Sequence, residues 1–183
     1  MTAENVAATA AKEPVWLRIV DRISIALAVA GGIGAVLLVA NIVANVVSRT
    51  ATGVPLAGTL DISTYIWMPA VTVLAMGYAL QRGEHIRVSL ITGPASPPTQ
   101  RIVEVASLAL TILILAALTY YTFLGALKAQ GIGESATGTP WLDIWPMRFV
   151  ITVGLVGFLL QTAAEIQRAF VAANIDETEE VLL

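Results

Sequence analysis

The run ISIALAVAGGIGAVLLVANIVANVVS, Ile23 to Ser48, holds 26 residues without one ionisable side chain. As a helix rising about 1.5 Å per residue it reaches about 39 Å, more than the roughly 30 Å hydrocarbon core of a bilayer. The stretch predicts a membrane-spanning helix. A cleaved signal peptide is the competing reading, but the apolar run is too long for one and a polar tail of about 14 residues precedes it.

Three further apolar runs follow, from Ile62 to Leu80, from Val105 to Leu127 and from Trp145 to Ala164. With 57% apolar and only 13% charged residues, a soluble domain would expose too much apolar surface to water. The expected fold is an all-α integral membrane protein with four transmembrane helices, at about 23–47, 62–80, 105–127 and 145–164, inside a membrane domain of residues 23–168. The spans leave no room for a soluble catalytic domain of ordinary size. In the fourth, Arg148 stands near the start and the uncharged part, Phe149 to Ala164, covers about 24 Å, so the guanidinium is expected to snorkel to the headgroups.

Seven Lys and Arg residues fall before the first span, between the second and third, and after the fourth: Lys12, Arg18, Arg22, Arg82, Arg87, Arg101 and Arg168. The other two loops hold three, Arg49, Lys128 and Arg148. That asymmetry predicts cytoplasmic N and C termini. Trp67, Tyr120, Tyr121, Trp141 and Trp145 are then expected toward the outer interface and Trp16 at the inner one. Within the N-terminal segment 1–22, Val15 to Arg22 mixes apolar and charged residues. It is read either as a short interfacial helix or as the first turns of the first span. Residues 169–183, with Asp176, Glu177, Glu179 and Glu180, read as an acidic cytoplasmic tail, solvated and without structure.

The net charge of -3 and the scattered basic residues give no face for nucleic acid. There are no cysteines and a single histidine, His85, which rules out disulfides, thiolate metal sites and a haem held by two histidines of this chain. No metal or cofactor is expected, and no nucleophile–histidine–acid order or phosphate-cradling glycine loop occurs.

Asn41, Asn45 and Arg49 recur every four residues, with Ser48 beside them, as one polar stripe on the first helix. Amides in hydrocarbon seek partners, so the stripe faces another helix of this chain, a different subunit, or a bound substrate or ion. Ala28 with Gly32, and Gly31 with Ala35, permit close helix approach. Pro69 leaves the Tyr65 carbonyl without its helical donor and predicts a kink. Glu84, His85 and Arg87, with Arg82, form a loop of mixed charge suited to docking against a chain or lipid phosphates, or simply solvated. For His85 itself, an interfacial hydrogen bond and a titrating role both stand open.

The second and third spans hold no acid or base at all. A bundle that binds charged cargo unaided keeps ionisable or broken-helix elements near the midplane, so this one reads as an accessory subunit.

From about Arg18 to Arg168 the order of parts resembles the small membrane subunit, DctQ type, of TRAP transporters. The most specific piece is Gly77, Ala79, Gly83, His85, Ile86 and Val88, in the run Gly-x-Ala-x-x-x-Gly-x-His-Ile-x-Val. Asn45 and Arg49 also resemble the start of that family's first hairpin. Ser89 stands where the family often has an acid, and Asp61 is the nearest acid to its frequent glutamate at the start of the second span. The resemblance implies a tripartite, ion-coupled importer of organic acids such as dicarboxylates or sugar acids. Its solute and ion sites would lie in a large multispan membrane subunit fed by an extracytoplasmic solute-binding protein. This chain would then bind neither and would scaffold the large subunit in the bacterial inner membrane. Trp16, Asn41, Asn45, Arg49, Asp61, Glu84, His85 and Arg87 are the candidates for contact with that subunit or with lipid. A membrane anchor for a redox enzyme is the alternative, motivated by the span count and His85 but short of a second axial ligand. A small exporter acting as an oligomer is a third.

Overall fold

The computed structural model describes residues 14–83 and 97–181. Helix α1, Val15–Thr52, is 38 residues long and unbroken. Pro14, extended at φ -54° and ψ 138°, precedes it, and Gly53 at φ 73° ends it by donating its N–H to the Arg49 carbonyl. Helix α2 spans Thr59–Gln81, α3 spans Pro97–Ile132, and α4 spans Trp145–Val181. All four carry a stretch long and apolar enough to cross a membrane, as the sequence predicts.

The structure chooses between the two readings of Val15 to Arg22 and overturns one expectation, that the acidic tail is without structure. Val15 to Arg22 is no separate interfacial helix but the opening turns of α1, because nothing between Pro14 and Gly53 interrupts the helix and Leu17 and Val20 are buried with Ala164 of α4. The acidic tail is helical as far as Val181, since no glycine or proline follows Gly157 to stop it. Just ahead of Pro69, α2 widens into a π turn over Ser63–Trp67, in which the Met68 N–H reaches back to the Ser63 carbonyl. The extra residue in that turn is how the helix absorbs a proline that cannot donate.

Helix α2 lies between α1 and α4, α4 also touches α1, and α3 packs against α4 with no comparable contact to the other two. Small residues set these crossings. Gly31 and Gly34 of α1 face Ala70, Val71 and Leu74 of α2, whereas Gly32 faces open space. Of the two small pairs in α1, it is therefore Gly31's side that meets a helix of this chain. Gly77 of α2 stands where α1 and α4 both press in, with Ser24 Oγ 3.1 Å and the Gly157 carbonyl 3.4 Å from where a Cβ would be. Phe123 of α3 meets Phe149 of α4 edge to face, at 6.4 Å between centroids, and Phe149 meets Trp145 at 6.3 Å.

Candidate functional site: polar ties at the two ends of the bundle

The polar ties between elements gather at two ends, and no charged side chain lies between them. At the hairpin end, where residues 53–58 join α1 to α2 and 133–144 join α3 to α4, the asparagine stripe is used within the chain. Asn45 Oδ1 accepts the Leu56 N–H at 2.9 Å, and Asn41 Oδ1 accepts the Ser63 hydroxyl at 3.4 Å. The Ser48 hydroxyl donates to the Val54 carbonyl at 2.9 Å. The stripe thus turns the chain after α1 and anchors the first residue of the π turn. Arg49 does not join: its side chain is exposed and has no partner among the described residues. Asn45→Leu should destabilise the bundle by about 1 kcal/mol, read from thermal unfolding in mild detergent.

Asp61 reaches across to the second hairpin loop, where its carboxylate accepts the buried Thr139 hydroxyl. Gly138 is needed beside it, because a Cβ there would stand 2.8 Å from Asp61 Oδ2. The loop is folded on itself by a bridge between Ser135 and Asp143 and by Ala136 N–H donating to the Leu142 carbonyl at 2.9 Å. Arg148, in the first turn of α4, grips Glu134 with two bonds, Nε to Oε2 at 2.5 Å and Nη2 to Oε1 at 2.6 Å. It does so from the helix end, where the sequence places it for snorkelling.

By donating to both oxygens, the Arg148 guanidinium holds the Glu134 carboxyl below the usual carboxylate range. The sign follows: a depressed folded value stabilises above the unfolded value and is lost as pH falls through the folded one. The Glu134–Arg148 tie should therefore be unchanged from about pH 8 to 5 and weaken only below about pH 4.3, the ordinary glutamate value. Being partly exposed, it should contribute no more than about 1 kcal/mol. Unfolding followed against pH checks this, and Glu134→Gln should flatten that acid limb.

At the other end a network joins α1 to α4. Gln161, fully buried, accepts the Ser24 hydroxyl on Oε1 at 2.8 Å and donates from Nε2 to Asp21 Oδ1 at 3.1 Å and Glu165 Oε1 at 3.3 Å. Arg168 closes it with Nη2 to Asp21 Oδ2 at 2.6 Å and Nη1 to Glu165 Oε1 at 2.7 Å. Every polar atom of the buried amide is occupied, which is what sequestering it requires. None of these residues is among the sequence candidates. The signal was present, because Gln161, Glu165 and Arg168 lie four and three apart on one face of α4, where its apolar stretch ends.

Trp16 is exposed at this same end, in the first turn of α1. Gly83, at φ 69°, ends α2 in the left-handed region, so that glycine of the motif has a backbone reason as Gly77 has a packing one. Glu84, His85 and Arg87 lie outside the described residues. Trp67 is half-buried within α2, its indole N–H without an acceptor among the described residues.

Four apolar helices, with polar ties at both ends of the bundle and no acidic or basic side chain between them, define a multi-pass membrane protein. The family model described as "Tripartite ATP-independent periplasmic transporters, DctQ component" matches residues 38–172, and the chain belongs to that family. A relative in Halomonas elongata, described as the ectoine TRAP transporter small permease protein TeaB, is 31% identical over 125 residues. That match covers 66% of this chain and 64% of the relative, so the chain spans slightly less than two thirds of the relative's length. No solved structure matches significantly. The family is one of transport subunits, and the redox-anchor reading gives way to it.

Proposed function

We propose that this chain is the scaffold subunit of a secondary, ion-coupled tripartite importer of organic acids in the bacterial inner membrane. It braces a large multispan subunit that translocates a solute delivered by an extracytoplasmic binding protein. The observation that carries this reading is the distribution of polar groups. The amides and charges of the described helices are engaged in ties between elements or sit toward helix ends, and mid-depth offers no charged group to hold cargo or an ion. A moving transport domain needs a fixed companion, and a bundle clasped at both ends suits that duty. The Halomonas elongata relative is described by the solute ectoine. In this reading the other two components select the solute here.

Seven basic residues against three support cytoplasmic termini, with the hairpin end of the bundle outside. Proteoliposomes holding this chain alone should accumulate no organic acid under a sodium gradient. Those holding it with its large subunit and binding protein should. Accumulation by this chain alone would sink the reading.

A further inference from the structure

Two exposed surfaces of the bundle differ in chemistry. The outward side of α1 presents Val29, Val36, Val39 and Val43, which lipid solvates without cost. The outward side of α3 carries Tyr120 and Tyr121, 59% and 70% exposed and stacked edge to face at 5.5 Å. Neither phenol has a hydrogen-bond partner among the described residues.

With Trp145 taken as the interface residue, their depth sets the two hydroxyls below the headgroups. Phe123 and Phe149 are in contact and so share a level. Trp145 lies four residues, about 6 Å, nearer the hairpin end, and Tyr120 lies three residues, about 4.5 Å, further into the bundle. The tyrosines are thus rooted about 10 Å below Trp145 and about 21 Å from Ala106, where the apolar stretch of α3 begins. Side chains on a helix also lean toward its N-terminus, which for α3 is the distant end, so the rings tilt away from the nearer interface. A Tyr hydroxyl left in hydrocarbon is costly and calls for an acceptor.

Lys128, seven residues on from Tyr121, lies on the same face, exposed and without an acidic partner among the described residues. A second copy of this chain is a poor match for it. A two-fold axis along the bilayer normal would set Lys128 against Lys128 at equal depth, and the acid nearest in sequence, Glu134, is held by Arg148.

We propose that the α3 face bearing Tyr120, Tyr121 and Lys128 docks the large membrane-spanning subunit, which offers acceptors to the two phenols at mid-bilayer depth and an acidic group to Lys128. The inference rests on the subunit reading above and goes further by naming the face. It is tested with a benzophenone side chain placed at Tyr121, or at Val36 as the lipid-facing control, in the full chain co-expressed with its large subunit. Irradiation should yield an adduct of the two subunits from position 121, at least tenfold more than from position 36. An adduct of two copies of this chain at 121, lipid adducts alone at 121, or subunit adducts from 36 and not 121 would each overturn the proposal. Failure of the two subunits to co-purify at all would instead remove the subunit reading beneath it. As a second measurement, Tyr120→Phe with Tyr121→Phe deletes only hydroxyls that have no partner within the described chain. The isolated chain should melt as before while recovery of the complex falls about fivefold. Unchanged recovery overturns the proposal.

Discussion

Gly154→Val should be among the most damaging single substitutions in the bundle, lowering its stability by about 3 kcal/mol. A Cβ at Gly154 would stand 2.7 Å from Val73 Cγ1 and 3.0 Å from the Val73 backbone carbon and oxygen. A side-chain methyl can rotate away, but backbone cannot, so α2 and α4 must separate along their contact. Replacing a mid-helix glycine by alanine ordinarily gains about 0.5–1 kcal/mol of helix propensity, too little to offset the clash, and β-branched valine gains less. Gly32→Val is the matched control, since nothing lies within 4 Å of a Cβ there. Thermal unfolding in mild detergent should separate the two variants clearly while both keep their helical circular dichroism. Equal melting temperatures would show that the α2–α4 crossing is not held this close.

Gln161→Leu should cost about 2 kcal/mol, although leucine fills similar space. Interhelical polar contacts in membranes average about 0.6 kcal/mol, because partners are found in the unfolded bundle too. Gln161 should exceed that average for two reasons. Its loss strands the Ser24 hydroxyl, only 1% exposed, and it withdraws a donor from the Asp21 carboxylate, which Arg168 also holds. The two causes are separable in a double-mutant cycle. With Ser24→Ala already in place the stranded hydroxyl is gone, so Gln161→Leu should then cost about 1 kcal/mol less than it does alone. Strict additivity would mean that Ser24 and Gln161 are not coupled.

The asparagine stripe shows what a sequence can and cannot give. Its spacing on one helix face and its need for partners were legible from Asn41 and Asn45 alone. Which partner could not be read, because a carboxamide serves a backbone N–H of its own chain as well as a group on another subunit. The structure assigns both residues to the chain's own hairpin and leaves Arg49 outside. Tyr120 and Tyr121 were legible as amphipathic rings on the third span, but that they stack on each other, exposed on the outward side of α3, came only from the structure.

The sequence alone determined that the chain crosses a bilayer in four helices, and that their middles carry no charge. Both follow from matching local apolar length to the thickness of hydrocarbon, a comparison that needs no tertiary contact. Only the tertiary structure decided that α2 sits between α1 and α4, that α3 stands to one side, and that Gln161 joins residues about 140 positions apart in the chain. Lipid is as apolar as the helices, so no hydrophobic force selects neighbours. Close steric fit at glycines and the pairing of a few buried polar atoms choose instead, and both depend on faces that meet only after the helices have packed.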